Sequence, residues 1–316
     1  MPLAESGRRV LIAGGTGSVG RALARRLAQD PATAVRVLSR GPYAGHPAHV
    51  EAVTGSVHEP SVLDKALAGV DVAYYLIHGL DAPDFERKDR AAAIAFSAAA
   101  ARAGVGRIVF LGALGDEREP LSPHIRSRQE TGRLLRAGPV PVVELRAAVV
   151  LAPGSAVFEL LRGLAERIPV TIVPKGADKR CQPIALEDTL RWLVAAADHP
   201  EMPGIPLEIG GAETTTYAGL MHLYSTLRGL ARPVVRMPIA TPRLSGWWIG
   251  RFTPVPARVG RELVLGLRHD AIVRDPRARR LLSIEPLSLR EAMLRAIDAS
   301  DLGRAVDVTE RCARPC

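Results

Sequence analysis

The segment VLIAGGTGSVGRALARRL, residues 10–27, constrains the fold most, because a short apolar run leads through three spaced glycines into an amphipathic stretch. Gly14 permits a tight turn, Gly17 lets the backbone approach a pyrophosphate, and Gly20 lets a helix lie close to the preceding strand. The N–H groups and dipole at the start of that helix attract phosphate. The spacing is G-x-x-G-x-x-G, and strand before and helix after favour a dinucleotide-binding turn over a merely flexible one.

Strand and helix patterns alternate along the first 150 residues. Strands are predicted at 8–13, 34–39, 50–53, 70–77, 107–113 and 140–150. Helices are predicted at 18–29, 61–70, 83–104 and 123–138. This order predicts an α/β fold, a Rossmann-like doubly wound parallel sheet with helices on both faces.

The alternation loosens after residue 150. Helices are predicted at 155–167, 186–198, 216–229 and 287–298, and short strands at 170–173, 206–209 and 233–237. We therefore expect a dinucleotide-binding domain over 8–150 and a smaller C-terminal substrate-binding region over 151–300 that partly returns to the first domain. Residues 301–316 show no clear pattern and are expected to form a tail.

Composition narrows the function classes. No apolar run reaches the roughly 18 residues of a membrane span, and no apolar block precedes the first strand, so we expect a cytoplasmic protein without an integral membrane segment. The three cysteines have neither disulfide nor metal-site spacing, so no metal is expected. The net charge is +9, but aromatic residues make up only 4% and the arginines are scattered, which argues against a nucleic-acid partner.

The end of the second predicted strand selects the cofactor. An acidic residue there would bind the ribose hydroxyls of NAD, whereas an arginine suits the 2′-phosphate of NADP. This chain has Ser39 and Arg40 at that place, and both can donate hydrogen bonds to phosphate. The sequence therefore predicts NADP(H), unless Arg40 is an ordinary surface arginine.

Four stretches, GGTGSVG, LSR, DVAYYLIHG and RIVFLGALG, resemble the strand ends of atypical short-chain dehydrogenase/reductase proteins. LSPHIRSRQETG, RCQPIALEDTLRWLV and TPRLSGWWIGRFTPVP are similar to YbjT-type NAD(P)-binding proteins with a DUF2867-like C-terminal region. The resemblance covers residues 8 to about 290. It implies a Rossmann-like cofactor domain with a smaller substrate region, and it implies no particular substrate.

The wider family catalyses with a Tyr-x-x-x-Lys pair and a serine after the fifth strand. By resemblance, His124 stands at the tyrosine position, Arg128 at the lysine position, and Gly112 or Ala113 at the serine position. His124 and Arg128 share one helical face, where His124 could act as a general acid and Arg128 could bind ribose, phosphate or a substrate carboxylate. The positive charge of Arg128 would lower the pKa of His124. Alternatively, His124 is only a polar residue at the helix start and Arg128 binds only cofactor.

His78 follows the fourth strand, where ligands bind in open α/β sheets, and is a second acid candidate or else a loop histidine in solvent. By resemblance, Ser56 stands where relatives carry an adenine-contacting aspartate. The other predicted cofactor contacts are Thr16, Ser18, Val19, Val57, Ile77 and Gly112.

Further residues have open roles. Tyr74 and Tyr75 are expected in the core, and Cys181 is expected to be structural. Arg146 either orients substrate or pairs with Glu144, and residues 245–252 could form a lid, a dimer contact, a shallow membrane anchor or ordinary packing.

The pattern as a whole predicts an NADP-dependent oxidoreductase of the atypical short-chain type, transferring hydride to a hydrophobic or biosynthetic small molecule without the Tyr-x-x-x-Lys pair. One alternative is a non-catalytic NADP-binding sensor or assembly factor. Another is an epimerase or dehydratase that uses its bound cofactor within one cycle. The expected partner is a small-molecule substrate, and a homodimer stays open.

Overall fold

The computed structural model describes residues 7–43, 49–174, 177–199, 204–237 and 250–312. Its centre is a seven-stranded, wholly parallel sheet in the order β11-β6-β5-β4-β1-β2-β3. These strands are β1 (Arg8–Ala13), β2 (Thr33–Ser39), β3 (Glu51–Thr54), β4 (Val72–Tyr75), β5 (Arg107–Ala113), β6 (Val142–Ala147) and β11 (Pro206–Ile209). The short remaining strands are β7 (Val150–Leu151), β8 (Thr171–Pro174), β9 (Arg180–Cys181), β10 (Ile184–Ala185), β12 (Thr215–Thr216) and β13 (Val234–Met237).

Helices follow most strands of the large sheet. They are α1 (Ser18–Leu27), α2 (Pro60–Leu67), α3 (Phe85–Arg102), α4 (Pro123–Arg136), α5 (Ala156–Arg167), α6 (Leu186–Asp198), α7 (Tyr217–Leu227), α8 (Ala257–Gly266), α9 (Arg277–Leu282) and α10 (Leu289–Cys312). This architecture confirms the predicted Rossmann-like α/β fold. None of the helices in these described ranges is both long and apolar enough to cross a membrane.

The central strands β1, β4 and β5 are buried on both faces, which explains why they are almost continuously apolar. Val10 of β1 pairs with Val35 of β2 on one side and with Val72 of β4 on the other. Small residues of α3 pack in the core beside the ring of Phe96. The central strands therefore form a rigid base, and their carboxyl ends carry the candidate site.

By its internal contacts the chain divides into two compact units. The first contains residues 1–148, 189–209 and 273–284, and thus the large sheet. The second contains residues 149–188, 210–272 and 285–316. Within the second unit three two-stranded sheets form, β7 with β10, β8 with β13 and β9 with β12.

Two segments differ from their predictions. The strand expected over 140–150 is two strands, β6 and β7, which belong to different units. The segment expected as a tail, 301–316, is helical as far as Cys312, because α10 continues through it. No proline interrupts the helix in that stretch, and each residue added to an existing helix costs little compared with starting one.

Candidate active site

The loop between β1 and α1 turns at Gly14, whose φ of +96° is in the left-handed region that favours glycine. The Gly14 N–H donates to the Leu38 carbonyl at 3.1 Å, and the Gly14 carbonyl accepts from the Gly17 N–H at 3.1 Å. A Cβ on Gly14 would lie 2.9 Å from the carbonyl carbon of Leu76. The turn is thus held tightly between the ends of β2 and β4.

Two more glycines are required by close packing, one against backbone and one against a side chain. A Cβ on Gly20 would lie 2.3 Å from the Gly14 carbonyl oxygen and 2.8 Å from the Gly15 Cα. A Cβ on Gly15 would lie 2.2 Å from Cγ1 of Val37. Gly15 is not among the residues predicted from the sequence, although two adjacent glycines after a strand are a signal of a crowded backbone.

The N-terminus of α1 is open to an anion. Its N-cap residue, Gly17, makes no side-chain cap, and its first turn holds no acidic residue. Thr16 and Gly17 are exposed, and Ser18 and Val19 are half-buried. Arg21 Nε donates to the Thr16 carbonyl at 3.1 Å and fixes the loop from the helix side. The N–H groups of the first turn and the helix dipole therefore fit the pyrophosphate of a dinucleotide.

The end of β2 carries Ser39, whose hydroxyl is hydrogen-bonded within the chain, and Arg40, whose charged side chain is exposed. Ser39 is buried, and its hydroxyl donates to the Gly41 carbonyl at 2.6 Å. The side chain of Arg40 is 81% exposed, and its Nη2 lies 3.6 Å from Oδ2 of Asp81. Arg40 therefore offers its charge beside the glycine loop, because β2 is the neighbour of β1.

Ser56 and Val57 organise the turn that leads into α2. The Ser56 hydroxyl accepts from the His58 N–H at 3.2 Å, and the Ser56 N–H donates to Oε1 of Glu59 at 3.1 Å. Val57 is buried in the core cluster. Their contact with adenine stays a prediction.

Arg128 of α4 inserts its guanidinium between the ends of β4 and β5. It is 5% exposed. It donates to the carbonyl of Ile77 at 2.5 Å and to the carbonyl of Leu111, and its guanidinium carbon lies 4.7 Å from the centre of the Phe110 ring. Arg128 thus braces two backbone carbonyls at the place where the resemblance puts a catalytic lysine.

Asp89 of α3 is a buried carboxylate near this brace. It accepts hydrogen bonds from the Ser127 hydroxyl at 3.1 Å and from the backbone of Gly79. Burial raises the pKa of Asp89, and the neighbouring charge of Arg128 opposes that rise. Asp89 is another residue that sequence reasoning missed; its signal is an acid inside an alanine-rich helix.

The two candidate histidines are neutral at neutral pH. His78 follows β4 and is exposed, whereas His124 is the second residue of α4 and is half-buried. Partial desolvation, with a further contribution from the charge of Arg128, lowers the pKa of His78 below its ordinary value. The same effect, with contributions from His78 and Arg128, lowers the pKa of His124 to about 3. Each neutral imidazole can donate an N–H hydrogen bond, but neither carries the extra proton of an imidazolium at neutral pH.

Gly112 of β5 lies beside a buried ion cluster. A Cβ on Gly112 would lie 3.2 Å from Oε1 of Glu144. Arg146 Nε donates to that oxygen at 2.6 Å, and Arg146 Nη1 donates to Glu117 at 2.9 Å. Arg136 also pairs with Glu144. Of the two roles left open for Arg146, the structure shows the pairing with Glu144.

The remaining predicted residues lie mainly in the interior. Tyr74 and Tyr75 are buried in the core, as predicted. Cys181 is buried, and burial raises the pKa of its thiol to about 12, which suits a structural role. Of the proposed lid, 245–249 lie outside the described residues. Over the described ranges, no three His, Cys, Asp or Glu side chains are grouped as metal ligands.

Comparison with known proteins finds a matching family model and named relatives. Residues 14–140 match the family model described as NAD(P)H-binding. The chain is 29% identical over 236 residues to a ceramide reductase of Caulobacter vibrioides, covering 72% of this chain and 73% of the relative. It is 34% identical over 173 residues to a (4-alkanoyl-5-oxo-2,5-dihydrofuran-3-yl)methyl phosphate reductase of Streptomyces griseus, covering 52% of this chain and 58% of the relative.

Solved structures share the fold. A short-chain dehydrogenase/reductase superfamily protein from Agrobacterium tumefaciens, solved with bound NAD, superposes with a TM-score of 0.67 at 21% identity. The match covers 97% of this chain and 100% of that structure. The chain therefore carries an NAD(P)-binding domain and has the fold of the short-chain dehydrogenase/reductase superfamily.

Proposed function

We propose that the chain is an NADP-dependent reductase that transfers hydride to a hydrophobic small molecule without a Tyr-x-x-x-Lys pair. The observation that carries the proposal is a glycine loop that fits a pyrophosphate, with the exposed Arg40 beside it at the end of β2. When bound, NADPH supplies the hydride. The chain's own residues bind and orient the two reactants.

The binding roles follow the carboxyl edge of the sheet. The first turn of α1 takes the pyrophosphate, and Arg40 takes the 2′-phosphate. Ser39 shapes the turn that carries Arg40, since its hydroxyl holds the Gly41 carbonyl. The residues assigned to the remainder of the cofactor groove are Gly14, Thr16, Gly17, Ser18, Val19, Gly20, Ser56, Val57, Ile77 and Gly112. Arg128 supports this groove indirectly, since it is buried and donates to the carbonyls of Ile77 and Leu111.

The histidines act as neutral hydrogen-bond donors. His124 and His78 both lie at the ends of elements that meet at this edge, and both are uncharged at neutral pH. A neutral imidazole N–H can stabilise negative charge that develops on a substrate oxygen. The final proton then comes from water or through the imidazole.

The substrate class is suggested by the two named relatives. One is named for ceramide, a lipid, and the other for a methyl phosphate that carries an alkanoyl group. We therefore expect a carbonyl compound with an alkyl chain, of the hydrophobic or biosynthetic kind predicted from the sequence.

The first test is titration with NADPH and NADH, followed by nicotinamide fluorescence, for the wild type and for Arg40→Ala. A matched control is Arg102→Ala, since Arg102 is likewise exposed and ion-paired but lies on α3. We expect tight NADPH binding that Arg40→Ala weakens and Arg102→Ala leaves unchanged. Equal affinity for the two cofactors in every variant would refute the NADP preference.

Turnover is tested with NADPH deuterated at C4 and with a ketone derivative of ceramide or an alkanoylfuranone phosphate as acceptor. Deuterium in the product, detected by mass spectrometry, supports the reductase. Product formed without net NADPH consumption would instead indicate an epimerase or dehydratase.

A second candidate is a non-catalytic NADP-binding sensor or assembly factor. It is favoured by Arg128, which donates to the carbonyls of Ile77 and Leu111. These bonds give α4, the helix that lacks the Tyr-x-x-x-Lys pair, a structural role. Tight NADPH binding that alters affinity for a protein partner, with no deuterium transfer to any acceptor, would identify this case.

A further inference from the structure

The ion pair between Arg40 and Asp81 lies across the candidate cofactor loop. Arg40 follows β2, and Asp81 lies in the segment after β4. In the sheet, β1 lies between these two strands, and the glycine loop leaves from its carboxyl end. The contact of 3.6 Å between Arg40 Nη2 and Asp81 Oδ2 therefore joins the two flanks of that loop.

Both side chains of this pair are open to a ligand. Arg40 is 81% exposed and Asp81 is 57% exposed. Arg36, on the same strand, shows the contrast: it is buried, and it is fixed by Glu51 at 2.8 Å and by the carbonyls of Ala66 and Ala68. Among the described residues, Asp81 is the only ion-pair partner of Arg40, so an incoming anion can displace it.

Asp81 also lies near the second candidate acid, since it follows His78 by three residues in the segment after β4. The pair is therefore at the carboxyl edge of the sheet, where the proposed function has the cofactor.

We propose that Asp81 is a specificity-determining residue that competes with the 2′-phosphate of NADP for Arg40. The inference rests on the proposed function, in which Arg40 binds that phosphate. A 2′-phosphate must displace the Asp81 carboxylate from Arg40 and also meets its negative charge. NAD lacks the phosphate and meets neither cost, so Asp81 reduces the preference for NADP that Arg40 provides.

The test is a double-mutant cycle with Asp81→Asn, Arg40→Ala and both together. Affinities for NADPH and NADH are measured by fluorescence, and those for 2′,5′-ADP and 5′-AMP by calorimetry. Asp64→Asn is the matched control, because Asp64 is an equally exposed aspartate. It pairs with Arg102, and this pair joins α2 to α3 rather than flanking the glycine loop. Thermal melts verify that each variant is folded.

We expect Asp81→Asn to tighten NADPH and 2′,5′-ADP binding about two- to fivefold, the range of an exposed ion pair, and to leave NADH and 5′-AMP unchanged. The gain should largely vanish in the Arg40→Ala background and shrink in 1 M salt. Asp64→Asn should change nothing.

Two kinds of failure are distinguishable. If Arg40→Ala weakens NADPH but Asp81→Asn has no effect, or tightens both cofactors equally, the competition is refuted while the cofactor assignment stands. If Arg40→Ala leaves NADPH binding unchanged, or neither cofactor binds, the proposed cofactor assignment falls and the competition falls with it.

Discussion

Gly20 and Gly17 together offer the sharpest test of the cofactor loop. Gly20 is needed for close packing, whereas Gly17 is expected to leave room for the pyrophosphate. In Gly20→Ala, the new Cβ would lie 2.3 Å from the Gly14 carbonyl oxygen and 2.8 Å from the Gly15 Cα. Both neighbours are backbone, so no side chain can swing aside. Either the loop or the start of α1 must shift.

The expected size of the effect follows from two opposing contributions. Alanine is favoured over glycine inside a helix by up to about 1 kcal/mol. Overpacking costs about 1–3 kcal/mol, and a clash with backbone belongs near the upper end. We therefore expect Gly20→Ala to lose about 2 kcal/mol of unfolding free energy, or roughly 4–8 °C in Tm for a unit of this size.

Gly17→Ala is the informative partner. Its nearest neighbour would be the Gly14 carbonyl oxygen at 3.4 Å, an ordinary contact, and its φ of −69° suits alanine. It should keep its stability within about 0.5 kcal/mol, yet weaken NADPH binding at least tenfold because the methyl group faces the approach of the pyrophosphate.

The assays are urea unfolding without cofactor and NADPH titration by fluorescence. Gly266→Ala serves as control, since, apart from its chain neighbours and its own helix backbone, no atom of the described residues lies within 4 Å of its new Cβ. A Gly20→Ala protein as stable as the wild type would refute the packing argument. A Gly17→Ala protein with unchanged NADPH affinity would refute the placement of the pyrophosphate.

Two further predictions concern the reacting end. Arg128→Met should lower the unfolding free energy by about 2–4 kcal/mol, because the carbonyls of Ile77 and Leu111 lose their buried donors; a loss below about 0.5 kcal/mol in urea titrations would contradict the brace. The wild type should lose stability as the pH falls from about 6.5 towards 4, because the unfolded chain protonates His124 near pH 6.5 whereas its folded pKa is about 3. His124→Gln should reduce that loss by up to about 1.4 kcal/mol per pH unit, and equal slopes at pH 7, 6 and 5 for the two proteins would contradict a neutral His124.

Features fixed by neighbours in sequence could be predicted. The bounds of β1 and β5 match the predicted strands, because a short apolar run bounded by polar or small residues is a local signal. The turn at Gly14 follows from a backbone conformation that few other residues adopt.

Partners distant in sequence could not be predicted. The carbonyls that receive Arg128 lie 51 and 17 residues before it, and the helical pattern says nothing about which strand ends it meets. Arg40 and Asp81 come together because β2 and β4 both flank β1 in the sheet, and the sequence does not state this strand order. The helix over 301–312 is missed for a different reason. Its own residues form only a weak helical pattern, and they become helical as the continuation of α10.

The chemistry of the reacting end narrows the acceptor under the proposed function. Both candidate histidines are neutral, and Arg128 is committed to backbone carbonyls, so none of these three described residues is a strong acid for the substrate oxygen. An isolated ketone would develop a localised alkoxide that requires prompt protonation. A double bond conjugated to a carbonyl spreads the charge of hydride addition over an enolate, which hydrogen-bond donors alone can stabilise. We therefore expect a conjugated, activated acceptor to react faster than a saturated ketone with the same alkyl chain, and the reverse order would mean that a proton source stronger than these imidazoles serves the site.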